Sequence, residues 1–327
     1  MARRPAADAE ERPETLRQWV RLLLRDLAIF GLIFAIGLGA LFAYTQVWPP
    51  MVVVESSSMQ HSDSESFLGV IDTGDYVLVQ ATPLRSQIVT WVEGRAQNYR
   101  TYGDFGDVII FRPPPRPADT PIIHRAILWL EWNATTGGGW DAPSLLALSR
   151  SEWSARDGSG NPLPYPYNID GDLTLYNVGY GGDLTRVLPV SVMLPRISGF
   201  ITMGDNNAYS SGADRWIVPQ DHVIGHARGE LPWFGLLKLT IAPAGYCCQG
   251  WGDPRAPQNS WNALAASLVA LVVIPVAADY GLAWWLKRRK TAKGQAGPED
   301  GEASEPDVAP GGASGANGDA GPRNPSE

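Results

Sequence analysis

Cysteine is nearly absent from this chain: two residues in 327, and they are neighbours, Cys247 and Cys248. Adjacent cysteines bridge only under strain, so no disulfide framework is expected and two ordinary thiols are the simpler reading. Histidine is scarce too, with four residues, and no Cys/His spacing suits a metal. Charge is thin: Asp, Glu, Lys and Arg make up 18 % of the chain, and the net charge is −8. There is no basic stripe, which excludes a nucleic-acid footprint. No internal repeat is visible, so a solenoid is not expected either.

What the chain has is apolar length. Hydrophobic residues are 44 % of the total, and 327 residues allow one large domain or two ordinary ones. Residues 27–48 run without a charge, long enough to cross a hydrocarbon layer of roughly 30 Å as a helix. A secretory leader would have a shorter apolar core and a small-residue cleavage site. Here Trp48-Pro49-Pro50 ends the run, so it reads as an uncleaved anchor. Residues 261–286 form a second apolar run. It contains Pro275 and Asp279 and ends on Trp284 and Trp285, the residues of an aromatic belt.

The basic flanks give the expected orientation. Arg17, Arg21 and Arg25 precede the first run, and Lys287, Arg288, Arg289 and Lys290 follow the second. By the positive-inside rule both termini are cytoplasmic and the middle of the chain faces outward. The expected organisation is a cytoplasmic segment over 1–26, a membrane helix over 27–48, an extracytoplasmic domain over 49–260, a second membrane helix over 261–286, and a cytoplasmic basic flank and tail over 287–327. Residues 1–16 and 291–327 are too poor in large apolar side chains to fold.

The outward part is patterned for strands. Residues 51–54, 76–80, 108–112, 122–132, 173–178, 200–203 and 222–227 are β-branched or aromatic runs bounded by Gly, Pro, Asp or Ser. Short strands without long amphipathic helices predict a mainly β fold, closed on itself. Residues 133–194 are rich in Gly, Pro and Asp and read as a loop-heavy insertion. Asn133-Ala134-Thr135 is a glycosylation sequon on the expected outer side. Residues 231–237, Leu-Pro-Trp-Phe-Gly-Leu-Leu, suit either a segment dipping into the lipid surface or a core strand and turn.

Chemistry concentrates in a few places. Ser56, Ser57 and Ser58 follow the first strand, and at roughly 3.3 Å per extended residue Ser58 lies at most about 30–35 Å from the membrane boundary. Gly74-Asp75 and Gly106-Asp107 each make a tight turn into a strand, and a structural role suffices for both. His124 sits inside an apolar strand, and imidazole is the side chain suited to general-base work near neutral pH. His61 stands three residues past Ser58, while His222 and His226 belong to a later strand and suit packing or solvent. Asp205 and Asp214 follow the strand over 200–203, and either could orient a histidine. Taken alone, these features support an outward-facing β domain with hydrolase potential.

Their order resembles type I signal peptidases, closest to the archaeal and endoplasmic-reticulum branch. Ser56-Ser57-Ser58-Met59 is similar to the family's Ser-x-Ser-Met, and Gly74-Asp75 and Gly106-Asp107 resemble its Gly-Asp strand starts. Ile123-His124-Arg125 resembles the box of the general base, which is His in this branch and Lys in bacteria. Residues 202–207 with Asp214-Arg215 resemble the Gly-Asp-Asn box and its downstream Asp, and residues 218–225 the box that closes the core. The resemblance covers residues 27–240. His61 stands where the family usually has Pro, and 133–194 has no counterpart.

The resemblance implies a signal-peptidase-type β domain flanked by two membrane helices, with Ser58 as nucleophile, His124 as base, Asp214 as orienting acid and Asp205 as a second acid. Ser56 and the Ser58 N–H would stabilise the oxyanion. It implies a multi-pass protein of the cell membrane that removes signal peptides from secretory preproteins without a cofactor. Its partners would be those preproteins, the lipid bilayer and the secretion translocon, with no nucleic acid. The alternatives are a membrane-tethered β domain without catalysis, or a serine peptidase for a narrower set of surface proteins.

Overall fold

A computed structural model describes residues 16–135, 138–243 and 246–295. Of the termini expected to lack structure, 1–16 and 291–327, residues 1–15 and 296–327 lie outside the described residues, while Leu16 and residues 291–295 are helical, contrary to expectation, because they continue the two long apolar helices. Two compact units divide the chain, residues 1–269 and 270–327.

The first helix, α1 (Leu16–Thr45), begins before the apolar run and ends before Trp48. Arg17 to Arg25 are good helix formers and extend it at the start. At the other end Gln46 adopts φ 54°, in the left-handed region, and Pro49-Pro50 cannot continue a helix. Thr45 is buried, and its carbonyl accepts from Ala81 N–H at 2.8 Å, which docks the helix end on the β domain. Along its length Leu, Ile and Phe side chains stand exposed all round, Phe30 among them at 71 %. A helix apolar on every face with nothing covering it suits lipid. Both α1 and the last helix, Gln258–Gln295, are long and apolar enough to cross a membrane.

The strands in chain order are β1 (Met51–Val53), β2 (Tyr76–Gln80), β3 (Arg100–Thr101), β4 (Asp104–Phe105), β5 (Val108–Phe111), β6 (Ile122–Asn133), β7 (Gly139–Asp141), β8 (Trp153–Arg156), β9 (Pro162–Leu163), β10 (Asp172–Val178), β11 (Leu184–Pro189), β12 (Gly199–Met203) and β13 (Val223–Leu231). The main sheet runs β1-β2-β13-β5-β6-β12, with β7 paired to β6, and all its pairings are antiparallel. The expected closure is not met: β1 and β12 are edges of an open path. β1 has three residues, too few to reach across, and β12 is capped by a single bridge, Phe200 to Val218.

The insertion is better ordered than its composition suggests. β8 to β11 form a separate antiparallel sheet, β11-β10-β8-β9. Leu173, Leu175 and Val178 of β10 and Trp153 and Ala155 of β8 are buried in alternation, and they share one core with Trp91, Leu128 and Ile201 of the main body. Frequent Gly and Asp turns mask that alternation in the sequence.

Two short helices complete the first unit. In α2 (Trp91–Gln97), Thr90 caps the start and Glu93 reaches back to the Thr90 N–H at 2.8 Å. α3 (Gly235–Ile241) takes the last part of 231–237: Leu236 and Leu239 are core, while Leu231 is 43 % exposed. The segment thus ends a strand at Leu231, turns, and enters a helix where a core strand and turn was the expected alternative to a lipid-dipping segment. The long final helix, α4 (Gln258–Gln295), packs its first turns, Trp261 and Leu264, on α3. Cys247 and Cys248 lie in the same cluster and are joined by a disulfide, contrary to the expectation of two thiols.

The Gly-Asp starts work as the sequence suggests. Gly106 holds φ 77°, and a Cβ there would strike the Thr90 and Trp91 backbone. Asp107 accepts from Val89 N–H at 2.8 Å and Tyr99 O–H at 2.9 Å. Asp75 accepts from Asp72 N–H and Trp233 N–H, each at 2.7 Å, tying β2 to the start of α3. Burial pushes the Asp75 carboxyl up to about 8, against the lowering pull of those two N–H groups.

Candidate active site

β1 delivers the chain to Ser56, which is extended, and Ser57–Met59 then close one 3-10 turn. Met59 is 1 % exposed and pins the turn to the core beside Val54 and Val77. Ser57 points to solvent; Ser56 and Ser58 are half-buried, with their Oγ atoms 3.3 Å apart.

The segment after β12 clamps this turn from the other side. Asn206 N–H donates to Ser58 O at 2.9 Å, and Asn206 Nδ2 donates to Ser57 O at 2.9 Å. Gly204 makes the approach possible. A Cβ on it would collide with the Ser58 carbonyl and lie 3.0 Å from His124 Nε2. The Ser58 carbonyl and His124 Nε2 thus both border Gly204, where only a residue without a side chain fits.

His124 lies on β6 opposite Ile109 of β5 and is 5 % exposed. Its Nδ1 is 2.7 Å from Asp214 Oδ2, and the same oxygen accepts from Thr202 Oγ1 at 2.6 Å. Strand parity explains the grouping. Thr202 pairs with Ala126, two residues from His124, so Thr202 and His124 share a face of the sheet. Against a carboxylate, Nδ1 carries the proton and donates it, which leaves Nε2 as the acceptor facing Gly204. Among the described residues no hydrogen bond joins Ser58 Oγ to His124; the Ser58 hydroxyl is bonded to Ser56.

Asp205 is on the opposite face and does not touch His124. Arg125 meets it with two bonds, Nε to Oδ1 at 2.8 Å and Nη2 to Oδ2 at 2.6 Å, and His61 Nε2 is 2.9 Å from Oδ2. Burial alone would raise this carboxyl; the Arg125 charge and the bonds from Arg125 and His61 outweigh it and hold it below its ordinary value. Arg125 is 1 % exposed and also donates from Nη1 to Thr101 O and Gly106 O, each at 3.0 Å. The sequence reading passed over it. The available signal was its place beside His124 in an apolar strand, where a buried cation requires an acid on the far face.

The remaining histidines separate cleanly. His61 is spoken for by Asp205. His222 stands in a 3-10 turn, its Nδ1 3.2 Å from Arg112 O. His226 is buried on β13 with Nε2 3.3 Å from Gln80 Oε1. Among the described residues one group could bring ligand atoms together for a metal: Cys247, Cys248 and Asp253. The two sulfurs are joined, and both oxygens of Asp253 are taken by Arg255 at 2.9 and 2.6 Å, so the group is not a free ligand set.

No protein-family model matches the chain, and no curated protein matches it either.

Proposed function

We propose that the chain is a membrane-anchored serine endopeptidase of the signal peptidase I type. One observation carries the reading: an imidazole oriented by a carboxylate at 2.7 Å presents its free nitrogen to the point where a half-buried serine turn is clamped. Carboxylate, imidazole and serine in that order are the parts of a nucleophilic acyl-transfer site.

In this reading Ser58 Oγ leaves Ser56 by a rotation of χ1, gives its proton to His124 Nε2 and attacks the scissile carbonyl. Bonds of this kind are often long or misdirected without substrate and tighten on binding. The first N–H groups of a 3-10 turn have no partner within the turn, so the Ser58 N–H is free for the oxyanion, with the Ser56 hydroxyl beside it. One such donor is worth about 2.7–4 kcal/mol of barrier in comparable hydrolases. His124 then protonates the leaving amine, and water releases the acyl-enzyme. The half-buried edge strand β1 runs straight into the turn and suits an extended peptide added alongside it.

The exposed apolar helix α1, ending six residues before β1, ties the site to a bilayer with both termini cytoplasmic and the β domain outside. The substrates are preproteins whose apolar leader confines the cleavage point near the same surface, with the secretion translocon as a neighbour. Discrimination by small pockets alone is only about 1–3 kcal/mol each, so that confinement supplies part of the specificity. No cofactor is called for.

A second reading is a β domain that keeps the architecture without catalysis. The hydrogen bond that joins the Ser58 hydroxyl to Ser56 instead of His124 favours it. Mass-spectrometric mapping of cuts on a secretory preprotein, with wild type and Ser58→Ala in parallel, separates the two. Cleavage after a small-residue site that vanishes in Ser58→Ala supports the peptidase. Equal processing by both proteins, or none by either, removes it.

A further inference from the structure

We propose that His61 is a positioning residue for Ser58, braced by Tyr180 of the inserted subdomain; the proposal rests on the peptidase reading above. Asn206, in the segment after β12, grips the serine turn through its Ser57 and Ser58 carbonyls. The chain leaves the turn through Gln60 to His61, and there the same segment takes hold again, through Asp205 Oδ2 at 2.9 Å from His61 Nε2. Asp205 is itself fixed by the buried Arg125. The serine turn is therefore held at Ser57, Ser58 and His61 by two consecutive residues, Asp205 and Asn206.

Tyr180 completes the hold from outside. It lies just past β10, in the inserted subdomain. Its ring stacks on the His61 ring with centroids 4.0 Å apart and planes 15° apart, and its hydroxyl donates to the His61 carbonyl at 3.1 Å. Tyr209, two residues past Asn207, packs its ring against Tyr180 with centroids 4.8 Å apart and accepts from Gly181 N–H at 2.9 Å. A Cβ on Gly103 would lie 3.1 Å from His61 Nδ1, so the imidazole is enclosed on that side also. One side chain of the insert thus fixes both the ring and the backbone of the residue three positions past Ser58. Filling of space alone would need neither the polar contact to the carbonyl nor the carboxylate partner.

The test is cleavage kinetics of the full chain in detergent micelles on a preprotein, with Ser58→Ala as blank and circular dichroism as the check on folding. Misplacing a reacting group by an ångström costs up to about 100-fold, so His61→Phe, which keeps the stack and loses the Asp205 bond, should lower kcat about 10–100-fold with KM within about twofold. His61→Gln restores an N–H donor and should recover most of that loss. Tyr180→Phe, which keeps the stack and loses the carbonyl bond, should lower kcat about 3–10-fold, and its effect should shrink in the His61→Phe background. Wild-type kcat in His61→Phe, or equal loss in His61→Phe and His61→Gln, overturns the proposal while leaving the peptidase intact. If His61→Phe does not fold, wild-type kcat in Tyr180→Phe overturns it. Absence of Ser58-dependent cleavage in the wild type removes the peptidase reading and this proposal together.

Discussion

Asp214→Asn and Asp205→Asn should fail in different ways, because the two carboxylates do different work. Asp214 faces His124 Nδ1 at 2.7 Å, with its side chain 12 % exposed. In the proposed peptidase, when the imidazole takes the serine proton, its charge lies roughly 4 Å from the carboxylate charge, worth about 4 kcal/mol at an effective dielectric of about 20. At 1.36 kcal/mol per tenfold that is about a thousandfold, and partial exposure lowers it toward a hundredfold. Asp214→Asn should therefore cut kcat about 10²–10³-fold with little change in KM or in the unfolding midpoint. Asp205 instead neutralises Arg125, which is 1 % exposed. Removing its charge leaves a buried cation unpaired, at about 3–5 kcal/mol. At about 2–4 °C per kcal/mol for a domain of this size, Asp205→Asn should lower Tm by roughly 6–20 °C. Both are measured on the purified full chain, by preprotein cleavage and by thermal unfolding. A thousandfold loss of kcat in Asp205→Asn at an unchanged Tm, or a Tm drop in Asp214→Asn with kcat preserved, would refute the division of roles.

Gly204→Ala should abolish cleavage by about 100-fold or more while the protein stays folded, since the new methyl enters the point where the Ser58 carbonyl and His124 Nε2 meet; activity near wild type means the two groups do not act together. Glu230 gives a pH dependence of stability. Burial, opposed by the Gly69 N–H and reinforced by the charge of Asp72, raises its carboxyl to about 7 from 4.5. Between about pH 4.5 and 7 the unfolded chain has lost this proton and the folded chain keeps it, so stability declines as pH rises through that window. Glu230→Gln should remove a decline of about 1–2 kcal/mol after screening is allowed for, read as a flatter plot of Tm against pH; parallel plots would contradict it. Orientation is tested with Ser159→Cys, at an exposed turn between β8 and β9. A membrane-impermeant maleimide should label it on intact cells, and labelling only after lysis would reverse the topology.

Elements were legible where local pattern and tertiary role agree. The strand over 76–80 carries the expected bounds and the one over 200–203 starts one residue earlier, at Gly199; every second residue of the first, and every residue of the second, is buried. Within the insertion only the strand over 173–178 was legible, and β10 contains it; the rest was not, because Trp140, Trp153, Ile169 and Leu188 find their partners across distances that no local window spans. Closure failed for a related reason: strand count is local, whereas pairing of the first strand with the last depends on how far a three-residue β1 extends. The Cys247–Cys248 bond also escaped, since adjacency in sequence argues against a bridge until the chain's path is known.

The choice between the two acids shows what register adds to sequence. Asp205 and Asp214 both follow β12, and spacing alone ranks neither. Pairing of Met203 with Arg125 puts every second residue from Met203, Asp205 included, on the face of Arg125. Thr202, one residue earlier, is on the face of His124, and the loop returns Asp214 to it, with Asp214 N–H donating to Thr202 O at 2.8 Å. Two adjacent residues of β6, His124 and Arg125, therefore each own one carboxylate, on opposite sides of one sheet. The same pair of strands orients His124 through one acid and, through the other, meets His61 just past the serine turn. A single-residue slip between β6 and β12 would exchange the two faces, so the register of this pair is the quantity on which the whole site depends.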